Sequence, residues 1–140
     1  MLVVVDTNVL LVAVSDRSKY HWLYKAILER KISIAFTNEI LEEYEEIIAK
    51  HWFPDIAADV TRSLIELSTA KLTVVYFKLN VIITDVDDNK FVDCAFAANA
   101  DYLVTNDAHF NVLKLLEFPS IKTISLDSFK ELIIQAGIIS

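Results

Sequence analysis

The chain has 140 residues, 54% of them hydrophobic, with one glycine, one cysteine and two prolines, and a net charge of −7. That length suits a single domain over residues 1–140, and a domain of this size buries roughly 70% of its unfolded surface without disulfides or a structural metal. Gly137 alone cannot build a Walker loop, a dinucleotide-binding fingerprint or a nucleophile elbow, Cys94 alone cannot form a bridge or a multi-cysteine zinc site, and the acidic balance excludes the broad basic face of a non-specific DNA binder.

Leu2 to Val5 is a short apolar run rich in β-branched residues, the pattern of a strand buried on both faces in a parallel sheet. It carries no basic flank, and Asp6 and Asn8 interrupt the apolar residues that follow, so neither a signal peptide nor a membrane span is expected and a cytoplasmic setting is. Similar strand patterns recur at Ile32 to Phe36, Thr73 to Phe77, Tyr102 to Thr105 and Ile121 to Ile124. Between them, helical spacing predicts helices over Val9 to Val14, Lys19 to Arg30, Glu39 to Lys50, Ile56 to Thr69, Lys90 to Asn99 and Ser128 to Ala136. Ser18, Thr37 or Asn38, and Asp127 stand where N-caps belong, and Gly137 follows the last helix as a C-terminal cap. The alternation predicts an α/β fold with a central parallel sheet of about five strands between helical layers, α/β/α.

Ligands of open parallel sheets sit beyond the carboxyl ends of the strands, which singles out the acids found there. Asp6 opens the polar corner Asp6-Thr7-Asn8, and Asp107 ends a second corner, Thr105-Asn106-Asp107. Each has an equally good structural reading as a helix cap or turn aspartate. Along Glu39 to Ile48 an apolar stripe runs through Ile40, Leu41, Tyr44, Ile47 and Ile48. At about 100° per residue, Glu42 and Glu46 fall opposite that stripe while Glu43 and Glu45 lie on its shoulders. Asp88 lies on the side of Phe91, Val92 and Ala95 and points inward, Asp93 falls on the outward face, and Asp85 and Asp87 read as cap and dipole residues.

In this order and spacing the acids resemble the PIN domain family, above all the toxin components of toxin-antitoxin systems (VapC-like ribonucleases). The text carrying the likeness is Asp6-Thr7-Asn8, Ile40-Leu41-Glu42-Glu43-Tyr44, Asp87-Asp88-Asn89-Lys90-Phe91 and Ala100-Asp101-Tyr102-Leu103-Val104-Thr105-Asn106-Asp107, spanning nearly the whole chain. The resemblance implies a Mg²⁺- or Mn²⁺-dependent endoribonuclease with Asp6, Glu43, Asp88 and Asp107 as its acidic cluster. Asp6 and Asp88 would bind metal most directly, Asp107 and Glu43 would complete its shell or hold the attacking water, and Asn8 and Thr105 would orient carboxylates. The partners expected are an RNA substrate, a cognate antitoxin and a second copy of the chain. Asn106 departs from the glycine many relatives carry there.

The chemistry stands beside the likeness. Bare carboxylates repel a phosphodiester, so such a cluster can act on one only with a hard divalent cation between them. RNA contacts in so acidic a chain must come from a few cations, with Arg17, Lys19, Lys90 and His109 nearest the corners, although each reads equally well as a solvated surface or loop residue. His21, His51 and His109 lack zinc-site spacing, and Cys94 reads as a packing residue. Two other classes compete: a non-catalytic PIN-like module binding RNA or protein, and another Mg²⁺-dependent phosphotransfer domain. Asn8 stands where a phosphatase DxD motif needs its second acid, and Asp6 lacks the acidic neighbour a receiver would want.

Overall fold

The computed structural model describes residues 1–140. Strand β1 (Leu2–Val5) lies at the centre of a five-stranded sheet with β2 (Ser33–Phe36), β3 (Ala70–Leu72), β4 (Tyr102–Val104) and β5 (Thr123–Ile124). All strands run parallel in the order β3-β2-β1-β4-β5. Val3, Val4 and Val5 are each completely buried, so helices cover both faces of β1, as its unbroken apolar run requires. The helices are α1 (Thr7–Ala13), α2 (His21–Leu28), α3 (Asn38–His51), α4 (Pro54–Glu66), α5 (Asn89–Ala98) and α6 (Leu126–Gln135), with 3-10 segments at Val86–Asp88 and Ala108–Leu115. The α/β/α reading of the sequence is therefore the architecture. No helix is long and apolar enough to cross a membrane.

The strand order fixes where a site can form. From β1 the chain winds to one side through β2 and β3, then returns to lay β4 on the opposite flank of β1. Beyond the carboxyl ends of β1 and β4 the loops diverge and leave a crevice, the usual ligand position in an open parallel sheet. Val5 pairs with Val104, so Asp6 and Thr105 emerge side by side at that crevice.

Several boundaries differ from the sequence expectation. The third strand is Ala70–Leu72, not Thr73 to Phe77. Its last residue pairs with Phe36, and the next residue of that neighbour, Thr37, already caps α3 by accepting from the Ile40 amide at 3.1 Å. The Thr73 amide still donates to the Phe36 carbonyl at 2.8 Å, but beyond Phe36 the chain has turned into α3 and offers no further strand to pair with. Val74, Tyr76 and Phe77 are exposed instead. The connection that follows folds back over α5, where the Leu79 amide donates to Asp93 at 3.0 Å and Asn89 exchanges two hydrogen bonds with the backbone of Ile82. Asp93 is consequently buried rather than outward-facing, and burial raises its pKa. Helix α6 is capped by Ser125, which accepts from the Ser128 amide, while Asp127 lies in the first turn. Tyr20, not Ser18, precedes α2, although the Ser18 hydroxyl accepts from the Tyr20 amide. Gly137 has the left-handed φ of 75° expected just past α6.

Candidate active site

Asp6 occupies the N-cap position of α1, yet its side chain makes no capping bond. The carboxylate turns into the crevice, where Oδ2 accepts the Thr105 hydroxyl at 2.9 Å. The same Thr105 oxygen accepts from the Asp107 amide at 3.0 Å, so one hydroxyl ties the corner after β1 to the corner after β4. A cavity of about 370 Å³ opens here, with Asp6, Asn8, Tyr20, Asn106 and Asp107 among its walls. Asn8 is exposed on its rim and makes no hydrogen bond to a carboxylate. The Asn106 side chain instead accepts from the Leu126 amide at 3.0 Å and docks α6, and its backbone needs no positive φ, so glycine is not required at that corner.

Electrostatics sets this crevice apart. Asp6 is only 6% exposed, and its pKa is pushed up to about 6, first by burial and further by the charges of Asp88 and Asp107, against the lowering effect of the Thr105 hydrogen bond. Asp88, buried at the end of the 3-10 turn before α5, is raised by burial and by Asp85. Asp107 accepts from the His109 amide at 2.9 Å, so its turn role is real, and its charge still reaches Asp6. Three carboxylates from three separate chain segments therefore converge at the switch point between β1 and β4.

Two neighbours join that group. Asp85 accepts from the Asp87 amide, the capping role expected of it, while its other oxygen lies 4.0 Å from the His109 Nδ1. That same nitrogen is 3.3 Å from Asp88 Oδ2 and 3.5 Å from Asp107 Oδ1. Ligand atoms of Asp85, Asp88 and His109 all lie within 4.8 Å of one another. Neither the proximity of Asp85 nor the inward turn of His109 could be found by periodicity, because both depend on how the 3-10 segments meet. The donor set, two carboxylates and an imidazole nitrogen with the charges of Asp6 and Asp107 close by, fits a divalent cation.

Glu43 is placed differently. It is half-buried on α3, whereas Glu42 and Glu45 are exposed. One carboxylate oxygen lies 2.7 Å from Lys90 Nζ on α5, and the other accepts the hydroxyl of Thr7. Lys90 is thus neither a solvated surface charge nor free for RNA, since its side chain is 9% exposed. Arg17 and Lys19 are exposed, with the Lys19 ammonium 4.9 Å from the centre of the Tyr20 ring on the cavity wall. Cys94 is buried and its thiol is pushed up to about 12 by burial, which removes it as a nucleophile.

This chain is similar to the solved structure of VapBC2 from Rickettsia felis bound to a DNA fragment from their promoter, with 19% identity and a TM-score of 0.58 over 89% of this chain and 98% of that one. At that identity the likeness concerns the fold. None of the curated proteins matches the chain. Residues 2–109 match the PIN domain, a stretch that contains every acid of the crevice from Asp6 to Asp107 together with four of the five strands, and the chain belongs to the PIN domain family.

Proposed function

We propose that the chain is a divalent-metal-dependent endoribonuclease, the toxin of a toxin-antitoxin pair acting in the cytoplasm. The observation that carries this reading is the carboxylate of Asp6. It leaves the capping bond of α1 unmade and sits buried, with a raised pKa, beside Asp88 and Asp107. A carboxylate kept buried at a switch-point crevice with no lysine or arginine beside it, and held by the Thr105 hydroxyl rather than by a capping bond, is arranged for a ligand.

Asp6, Asp88 and Asp107 would hold Mg²⁺ or Mn²⁺, with His109 and Asp85 at the edge of the same group. When bound, the metal lowers the pKa of a coordinated water and offsets charge developing on the phosphate and leaving oxygens. The chain's own residues do the rest. Thr105 fixes the orientation of Asp6 and the approach of the Asp107 corner. Arg17 and Lys19, both exposed, with Lys19 against the cavity-lining Tyr20, would meet RNA phosphates. The antitoxin and a second copy of the chain are the protein partners of this reading.

Cleavage of single-stranded and structured RNAs with Mn²⁺ or Mg²⁺, with chelator and Asp6→Asn controls, tests it. Cleavage that needs the metal and disappears in the variant supports the proposal. Metal-independent cleavage, or full activity of Asp6→Asn, sinks it.

A further inference from the structure

The Lys90–Glu43 contact is the shortest ion pair in the molecule, and its cation is 9% exposed where those of the other Lys and Arg pairs are 46 to 66% exposed. Exposed pairs contribute little, but here the ammonium is enclosed and the carboxylate half-buried, so Lys90 has no solvent to turn to in place of Glu43 and the pair fixes geometry. Glu43 uses its second oxygen to accept the Thr7 hydroxyl. The contact therefore joins α3, α1 and α5 at one point. It does so beside the acids, because Thr7 follows Asp6 and Lys90 stands two residues after Asp88.

We propose that Lys90 is a positioning residue that neutralises Glu43 and holds it as the acceptor for Thr7, keeping Glu43 outside the metal-binding set of Asp6, Asp88 and Asp107. This rests on the metal-dependent reading above and deepens it. A carboxylate whose two oxygens already serve an ammonium and a hydroxyl is a poor ligand, and a cation approaching it meets Lys90 first. The charge presented to the metal is then that of three aspartates rather than four acids. The Lys90–Glu43–Thr7 link instead sets the relative placement of the segments that carry Asp6 and Asp88. A role for Lys90 as a phosphate contact fits poorly, since its ammonium is enclosed and already paired.

Calorimetric titration of Mn²⁺ into the whole chain at neutral pH tests the inference without relying on cleavage. Lys90→Met should tighten Mn²⁺ binding by about three- to tenfold, because it adds an uncompensated carboxylate beside the cluster. A purely structural lysine would not produce a gain. Lys90→Met with Glu43→Gln should return to wild-type affinity, and Lys90→Arg should keep it. Should Lys90→Met alone fail to fold, the double variant, which carries no unpaired buried charge, still decides the matter. If Glu43 is a ligand, the double variant loses about tenfold or more in affinity, and the inference is overturned. Unchanged affinity in a folded Lys90→Met overturns it too. A wild-type chain that takes up no Mn²⁺ removes the metal-dependent reading and this inference with it, whereas binding by the wild type with loss in the double variant removes the inference alone.

Discussion

The two ends of the crevice treat acids in opposite ways. Around β1 and β4, Asp6 and Asp107 project from strand-end corners with no lysine or arginine against them, held by a shared threonine hydroxyl and by backbone amides. Around α3 and α5, Glu43 is matched to a nearly enclosed ammonium. The first arrangement stores repulsion, which under the proposed function a cation from solution would relieve, while the second is complete in itself. Residue type and rough proximity do not separate a binding carboxylate from a structural one. The neighbouring charge does, and it comes from a residue that a motif comparison treats as filler.

If that contrast is right, removing an uncompensated acid should hurt function most and the fold least. Asp6→Asn and Asp88→Asn are each expected to lower kcat/KM for RNA by about 100-fold or more, the scale of losing a metal position worth several kcal/mol. Circular dichroism should remain that of the wild type. Loss of folding in step with loss of cleavage would return both residues to a capping role.

The stored repulsion should also appear in the pH dependence of stability. Burial and the neighbouring acids push the Asp6 pKa up to about 6 from an ordinary carboxylate value of about 4, so between those values the folded state binds more protons than the unfolded one. Stability of the metal-free protein must therefore fall as pH rises from about 4 to about 6, by up to about 3 kcal/mol from this residue, and the raised pKa of Asp88 works in the same direction. Asp6→Asn should flatten that part of the curve and leave the variant more stable than wild type at neutral pH. Metal binding runs the other way, since ligands must be deprotonated, and Mn²⁺ affinity should drop below about pH 6. Urea unfolding across this range, with and without Mn²⁺, checks both signs, and a wild-type curve that rises with pH without metal would refute the repulsion argument.

Much of this site was legible in the sequence because its parts lie where local rules are strong. A continuous apolar run ending in a polar corner announces a buried parallel strand with a polar residue at its carboxyl end, which located Asp6 and Asp107 to the residue. The stripe of Ile40, Tyr44 and Ile48 put Glu43 and Glu45 alike on its shoulders, and only Glu43 is half-buried. What stayed hidden depends on contacts between segments. The run at Thr73 to Phe77 has the residue types of a strand, but its pairing ends with the Thr73 amide on the Phe36 carbonyl, and Val74, Tyr76 and Phe77 beyond it are exposed. Asp93 lies on the outer face of α5 by periodicity, and only the returning connection buries it. The pairing of Lys90 with Glu43 spans two helices far apart in sequence, and no spacing rule encodes it.

Thr105 offers a finer test of the corner that lacks cations. In Thr105→Val, Asp6 loses its hydroxyl donor and the Asp107 amide loses its acceptor, which should destabilise the chain by about 1–3 kcal/mol if no water replaces the hydroxyl. Because that hydrogen bond lowers the Asp6 pKa, its loss should raise it further and move the onset of Mn²⁺ binding to higher pH. Thr105→Ser, which keeps the hydroxyl, should behave as wild type in both measurements. Equal behaviour of the serine and valine variants would mean the hydroxyl does not organise the corner.

The smallest expected effect concerns the cations left free once Lys90 is assigned to Glu43. Arg17 and Lys19 follow α1 and are exposed, and the Lys19 ammonium sits against the ring of Tyr20, which lines the cavity. If both meet phosphates of a single-stranded substrate, replacing them together by serine should reduce the salt slope of RNA binding by about 1.4, at roughly 0.7 per phosphate neutralised. The kinetic consequence should be a KM raised a few-fold with kcat nearly unchanged, since these contacts are equally present in ground and transition states. Lys90→Met should leave the salt slope intact, because an ammonium enclosed by Glu43 releases no counterion when RNA binds. The slope thus separates the cations that face solvent from the one that faces inward. A flatter slope in Lys90→Met with none in the Arg17 and Lys19 variant would reverse the assignment and move the RNA path across α5.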